Sequence, residues 1–194
     1  MERRHIARLC VLGAGLLALS AILTGCASAY ARGGQAYRAG RYTDATREFE
    51  IAAARGAKRL DALTGLGVSR YRLGDLSGAR EALQRVLAES PKRVEARIYL
   101  ALVELERRDD PRVLEELTMV RPLIRHPRIA AAVERAIGAI REGTSDTSRE
   151  LIRASLDDAV EWARELRDAR ERAAAYAVEP YWTIYRNNPY EGLP

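Results

Sequence analysis

The chain repeats itself at an offset of 34 residues. Gly33, Tyr37, Gly40, Tyr42, Ala45, Phe49 and Ala52 meet Gly67, Tyr71, Gly74, Leu76, Ala79, Leu83 and Val86 one period later. The glycine, tyrosine, glycine and alanine positions are identical, and the others keep apolar character. A period of this length describes a supersecondary unit that cannot bury its apolar face alone, so neighbouring units must stack. Leu83, Val86 and Leu87 form an apolar stripe at helical spacing. Gly67 and Ala79 are small enough for the two helices of one unit to approach closely. Gly40 and Gly74 supply the turn between them, where a side chain would crowd a left-handed backbone. Ser90-Pro91 ends the second helix, because the residue before proline avoids helical angles.

The second unit resembles a tetratricopeptide repeat (TPR). Leu66-Gly67, Gly74-Asp75-Leu76, Ala79, Leu83, Val86-Leu87 and Pro91 stand where that motif has its small, turn, packing and terminating residues. The resemblance implies an all-α fold, a TPR-type α-solenoid of antiparallel helix pairs. The repeats are expected at about 26–59, 60–93 and 94–125, with the motif-bearing body at 34–125. The third copy is degraded. Ile98, Ala101, Leu102 and Leu105 share one stripe, Arg108-Asp109-Asp110 makes the turn, and Val113, Leu114, Leu117 and Val120 carry the pattern on towards Ile124. Its loop glycine has become Arg108 and its packing alanine Val113. Pro111 suits a first helical position, and Arg121-Pro122 should end or kink the helix.

Two further helices are expected in residues 126–178. One runs from Pro127 to Arg141 with Ile129, Val133, Ile137 and Ile140 inward. After a linker at Gly143–Asp146, Thr147 and Glu150 have capping-box spacing, so a long helix should start near Ser148 and reach Val178. Leu156, Val160, Ala163 and Leu166 give it an apolar stripe. It lacks the motif glycines and resembles the cap that repeat arrays need. Glu161, Glu165, Arg167, Asp168, Arg170, Glu171 and Arg172 are expected on a solvated face, since a coiled-coil partner would need a stripe longer than barely three heptads.

The N-terminus reads as an export signal. Arg3, Arg4 and Arg8 precede Leu9–Leu23, a charge-free apolar run too short, at 15 residues, for a permanent membrane span. Leu23-Thr24-Gly25-Cys26 resembles the bacterial lipobox. That resemblance implies removal of residues 1–25 by signal peptidase II and acylation of Cys26, which with a short tether over 26–33 would hold the body near a membrane. Two or three acyl chains anchor firmly where one does so marginally. Ala27 follows the cysteine where an Asp would resemble the inner-membrane retention signal. The expected location is therefore the periplasmic face of an outer membrane. Cys10 leaves with the signal, so Cys26 has no intramolecular disulfide partner.

Charge and chemistry narrow the function. The net charge is +5, of which the signal contributes two, and 32 basic residues include only Lys58 and Lys92 as lysines. That excess is too small and too dispersed for a nucleic-acid surface. His5 leaves with the signal and His126 sits in a turn between Arg125 and Pro127, so no conventional zinc site or histidine-dependent nucleophile is assembled. No glycine-rich phosphate loop is present, and Glu115-Glu116 and Asp157-Asp158 read as helix-surface charges. No cofactor, catalytic residue or metal site is expected, and the chain reads as a non-enzyme.

The expected work is binding. In TPR proteins the first helix of each pair lines a concave groove that receives a peptide or a partner's helix. Carried onto this sequence, that face holds Tyr30, Gly34, Tyr37 and Arg38 in the first repeat, Thr64, Val68, Tyr71 and Arg72 in the second, and Leu102, Leu105 and Glu106 in the third. Tyr37-Arg38 and Tyr71-Arg72 are the same dipeptide one period apart, a ladder suited to a carboxylate and backbone groups of an extended chain. Equally, both tyrosines could pack between helices as repeat signature residues. The tail over 179–194 is rich in proline and aromatics, and Tyr181, Trp182 and Tyr185 could cover the last helices or dock into a partner or the chain's own groove. The function expected is a membrane-anchored scaffold with protein partners in assembly of a cell-envelope complex, of outer-membrane-protein, secretin or pilus type. The alternative is an adaptor for peptidoglycan-modifying enzymes, and the third reading, against the run of the chemistry, is an unrecognised envelope enzyme.

Overall fold

A computed structural model of the chain describes residues 29–56 and 58–177. Among these residues all regular structure is helical: α1 (29–38), α2 (Tyr42–Ala54), α3 (Arg59–Arg72), α4 (Leu76–Glu89), α5 (Val94–Glu106), α6 (Asp110–Val120), α7 (Pro127–Glu142) and α8 (Asp146–Ala177). A 3-10 turn at Arg121–Leu123 follows α6 where Pro122 was expected to interrupt it. The architecture is a TPR-type α-solenoid. Helices α1/α2, α3/α4 and α5/α6 are the three pairs; α2 to α8 each pack on their sequence neighbours, and α1 meets α2 through Tyr30 and Gly33 against Phe49.

The 34-residue period is visible in the turns. Gly40, Gly74 and Arg108 stand one period apart with φ of 71°, 78° and 61°. The third repeat has thus kept the left-handed turn after losing its glycine, a conformation that strains a non-glycine residue. Asp75 and Asp109, also one period apart, cap α4 and α6 by accepting from the backbone N–H groups of Gly78 (2.9 Å) and Arg112 (3.2 Å). The close approach within each pair has a specific cause. A Cβ on Gly67 would stand 2.7 Å from Leu83, and one on Gly33 would stand 2.8 Å from Phe49, the residue one period before Leu83.

One core runs through the array. Leu63, Leu83, Ile98, Tyr99, Leu102, Val113, Leu117 and Val120 are almost wholly buried, as is Leu156 of α8. Glu104 is buried in the same layer and accepts from Arg80 of α4 at 2.6 Å, tying the second repeat to the third.

Helix α8 departs from a simple cap in two respects. Its start is capped by Ser145 and Ser148, each hydroxyl accepting from the other's backbone N–H (3.2 and 2.8 Å), in place of the Thr147–Glu150 pair. Its course then leaves α7 and crosses to α5. His126, expected in a turn, accepts from the Arg128 N–H to cap α7 and lies 4.3 Å, ring to ring, from Trp162 of α8.

Candidate functional site

Helical spacing sets the inner face of the array. Tyr30, Gly34, Tyr37 and Arg38 share one side of α1, and Thr64, Val68, Tyr71 and Arg72 repeat it on α3. The N-terminal half of α8 is held by buried Ile152, Leu156, Ala159 and Val160. Beyond them, α8 lays charged side chains across this face.

Glu161 is the hub of that crossing. Its Oε1 accepts from the hydroxyls of Tyr37 on α1 (2.6 Å) and Tyr99 on α5 (3.0 Å), and from Nη2 of Arg72 on α3 (2.9 Å). Arg72 also grips Asp157 with both Nη atoms, and its Nε donates to the Tyr37 hydroxyl at 3.2 Å. One turn further along α8, Arg164 donates to Glu95 of α5 at 2.6 Å, with its guanidinium 4.7 Å from the Tyr37 ring. Arg167 reaches the same Glu95 at 2.9 Å. Three cations meet three carboxylates, so the closure is neutral, and all but Arg167 are mostly shielded from solvent. Glu161, expected on a solvated face, is thus turned inward, because α8 lies in the groove and not beyond its end, while Arg167 stays half exposed as it reaches Glu95.

The electrostatics agree with this pairing. Burial pushes the Glu161 carboxyl up, but Arg164 and the donors Tyr37, Arg72 and Tyr99 outweigh it and hold the group below its ordinary range. Glu95 behaves likewise: burial raises it, and Arg164 and Arg167 bring it lower. Burial also lifts the hydroxyls of Tyr37 and Tyr99, which keeps them protonated as donors.

Beside this closure the face stays open as a cleft of about 530 Å³. Tyr30, Gly34, Tyr37, Arg38, Thr64 and Val68, six of the eleven residues assigned to the groove from sequence, line it together. Tyr71, Arg72 and the third repeat's Leu102, Leu105 and Glu106 do not. Tyr71 is buried, edge-on to Tyr99 at 5.9 Å, and Arg72 is held under α8. The Thr64 hydroxyl donates to the Leu60 carbonyl of its own helix (2.7 Å), leaving its methyl and Cβ as the cleft surface. The floor is Tyr30, Gly34, Phe49, Gly65 and Val68.

The cleft walls hold residues that sequence reasoning missed: Lys58, Asp61, Arg93, Glu95, Arg164 and Arg167. Asp61 is paired with Arg93, and Glu95 with the two α8 arginines, and Arg38 and Lys58 also line the cleft. Lys58 sits 5.1 Å from the Tyr30 ring. Lys58 and Arg93 come from loops and Arg164 and Arg167 from α8, where no register announces them, whereas Asp61 of α3 and Glu95 of α5 are acidic residues one period apart. Cys26 and the tail residues Tyr181, Trp182 and Tyr185 lie outside the described residues.

A family model described as a tetratricopeptide repeat matches the chain twice, over residues 30–94 and 64–112. Those segments contain the three helix pairs up to the first turn of α6 and exclude α7 and α8. No curated protein matches the chain.

Proposed function

On the premise that residues 30–112 are tetratricopeptide repeats, whose general work is protein–protein interaction, we propose that this protein is a scaffold for a cell-envelope complex. Its binding site is the open cleft on the concave face. The observation that carries this is the convergence of Tyr37, Arg38, Thr64 and Val68 with a charged wall around one volume of about 530 Å³. A volume of that order takes a few side chains of a polypeptide. The apolar floor suits an aromatic or aliphatic side chain, and the cations suit carboxylates beside it.

The anchoring part rests on sequence. A basic start, a short apolar run and Leu23-Thr24-Gly25-Cys26 support acylation at Cys26, only four positions before Tyr30 of the cleft. A partner reached from such a tether lies at or in the membrane, which favours an outer-membrane-protein, secretin or pilus assembly over a wall enzyme.

Capture from crosslinked envelopes tests the reading. The wild type is compared with Arg38→Ala/Lys58→Ala and with Arg85→Ala, an exposed change on α4. A membrane partner lost only from the double variant is the expected result. A partner set common to all three would remove the cleft from binding. Separately, Cys26→Ala is expected to leave an unprocessed precursor that takes up no labelled fatty acid, and normal maturation of that variant would end the lipoprotein reading.

A further inference from the structure

Three donors that converge on Glu161 belong to the repeat body: the Tyr37 hydroxyl of α1, the Arg72 guanidinium of α3 and the Tyr99 hydroxyl of α5. Their convergence is not a repeat signature. One period relates Tyr37 to Tyr71, Arg72 to Arg38 and Tyr99 to Gly65, so the three occupy different register positions. Beside them the same body presents one carboxylate, Glu95, which α8 meets with Arg164 and Arg167. We infer that this arrangement is a receptor for one helix face, a carboxylate followed by cations three and six positions later. Residues 161–177 of α8 are its resident occupant, exchanged for a partner's helix that carries the same three charges. The inference deepens the scaffold reading and rests on it, because it names the partner's chemistry where the open cleft meets α8.

The way α8 is held favours exchange. Its buried apolar residues, Ile152, Leu156, Ala159 and Val160, end just before Glu161. Asp157 lies among them, so Arg72 keeps that partner when the rest of the helix lifts. Lifting 161–177 gives up the half-buried Ala163 and the contact of Trp162 with His126, besides the ion pairs. A helix end attached in this way opens locally without unfolding the body.

Charge selects the replacement. With Arg72 satisfied by Asp157, the uncovered face carries the single charge of Glu95, together with the Tyr37 and Tyr99 hydroxyls, both now lacking their acceptor. One carboxylate and two cations arriving on a helix restore every pair and leave the face neutral. A carboxylate without the cations leaves Glu95 alone, and cations without the carboxylate leave the donors unmatched, so the face discriminates by order as well as by charge.

Fluorescence anisotropy tests this, with a labelled synthetic peptide of residues 161–177 as the probe and the full chain in mild detergent. The wild type is compared with Glu161→Gln/Arg164→Gln/Arg167→Gln, which loosens the resident helix and leaves the receptor intact. The variant should bind the peptide at least about tenfold more tightly, because the wild-type site is vacant for only a fraction of the time. A peptide carrying Glu161→Arg, Arg164→Glu and Arg167→Glu should not bind. Adding Tyr37→Phe and Tyr99→Phe to the variant should weaken uptake of the unaltered peptide at least about tenfold. No uptake by the variant, equal uptake by variant and wild type, or equal binding of the two peptides would overturn the proposal. Hydrogen exchange of the unaltered chain needs no variant: amides of 161–177 should open while those of 150–160 stay protected, and one opening shared by the whole of α8 would contradict an exchangeable segment. Envelope capture with Arg38→Ala/Lys58→Ala reads the scaffold proposal separately, since neither substitution touches the three donors or Glu95.

Discussion

Tyr37-Arg38 and Tyr71-Arg72 are the same dipeptide in the same register, yet they end in different surroundings. At the Arg72 end the concave face is shut: Arg72 binds Asp157 and Glu161, and Tyr71 is buried. At the Arg38 end it is open, and Arg38 lines a cleft. The difference does not come from the repeats. It comes from α8, whose apolar N-terminal half fixes it to the end of the array and whose next turns cross only part of the groove. The repeat motif supplies a periodic face, and a helix outside the motif decides which part of that face stays open.

The largest test of this contrast is Arg72→Ala beside Arg38→Ala. Removing Arg72 leaves two mostly buried carboxylates short of their cation and should cost about 2–3 kcal/mol, below the figure for fully buried pairs because some solvent reaches it. Arg38→Ala, on an exposed side chain, should stay within about 0.5 kcal/mol while weakening partner binding. Urea unfolding of the two variants checks both. Equal losses would erase the distinction between the two ends.

Tyr37→Phe is next. It removes the hydrogen bond to Glu161, which keeps its other donors, and the acceptor of Arg72 Nε, so about 1–2 kcal/mol is expected from thermal unfolding. An unchanged melting temperature would place the Tyr37 hydroxyl in solvent.

The pH dependence of the shut end has a worked sign. Glu161 and Glu95 titrate lower in the fold than their ordinary 4.5, so their contribution is complete above that value and fades as pH falls below it. Tyr37 and Tyr99 titrate higher than their ordinary 10.0, so theirs is complete below that value and fades as pH rises past it. Hydrogen exchange along α8 should therefore quicken at both extremes, and first in its C-terminal half. A uniform response along α7 and α8 would contradict a separate ionic closure.

Arg108→Gly is the smallest effect and the one stabilising change. It relieves a left-handed arginine and should gain about 1 kcal/mol, since the exposed pair with Asp146 that it gives up contributes little. A loss of stability would mean that Arg108 holds the third turn by contacts and not at a conformational cost.

The helix pairs were legible because their constraints are local and periodic. Gly67 under Leu83, the left-handed turns at Gly40 and Gly74, and the Asp75 cap each follow from residue type at a fixed offset, and the turn at Arg108 from the offset alone. The start of α8 was placed near its true position but on the wrong cap, because Thr147–Glu150 and Ser145–Ser148 offer the same spacing two residues apart. The closure was not legible. Asp157, Glu161 and Arg164 look like any charged helix face, and their partners Arg72, Tyr37 and Glu95 lie 69 to 124 positions away on three helices. Nothing in a charge pattern says which way a helix turns after its last apolar anchor. The cleft was half legible for the same reason, its α1 and α3 residues following the period and its α8 and loop residues following none.

A double-mutant cycle between Arg72 and Glu161 tests the central claim most directly. With α8 seated across α3, Arg72→Ala and Glu161→Gln should couple by more than about 1 kcal/mol in equilibrium unfolding. Effects that add within about 0.3–0.5 kcal/mol would mean that the two side chains do not meet and that the concave face is open along its whole length.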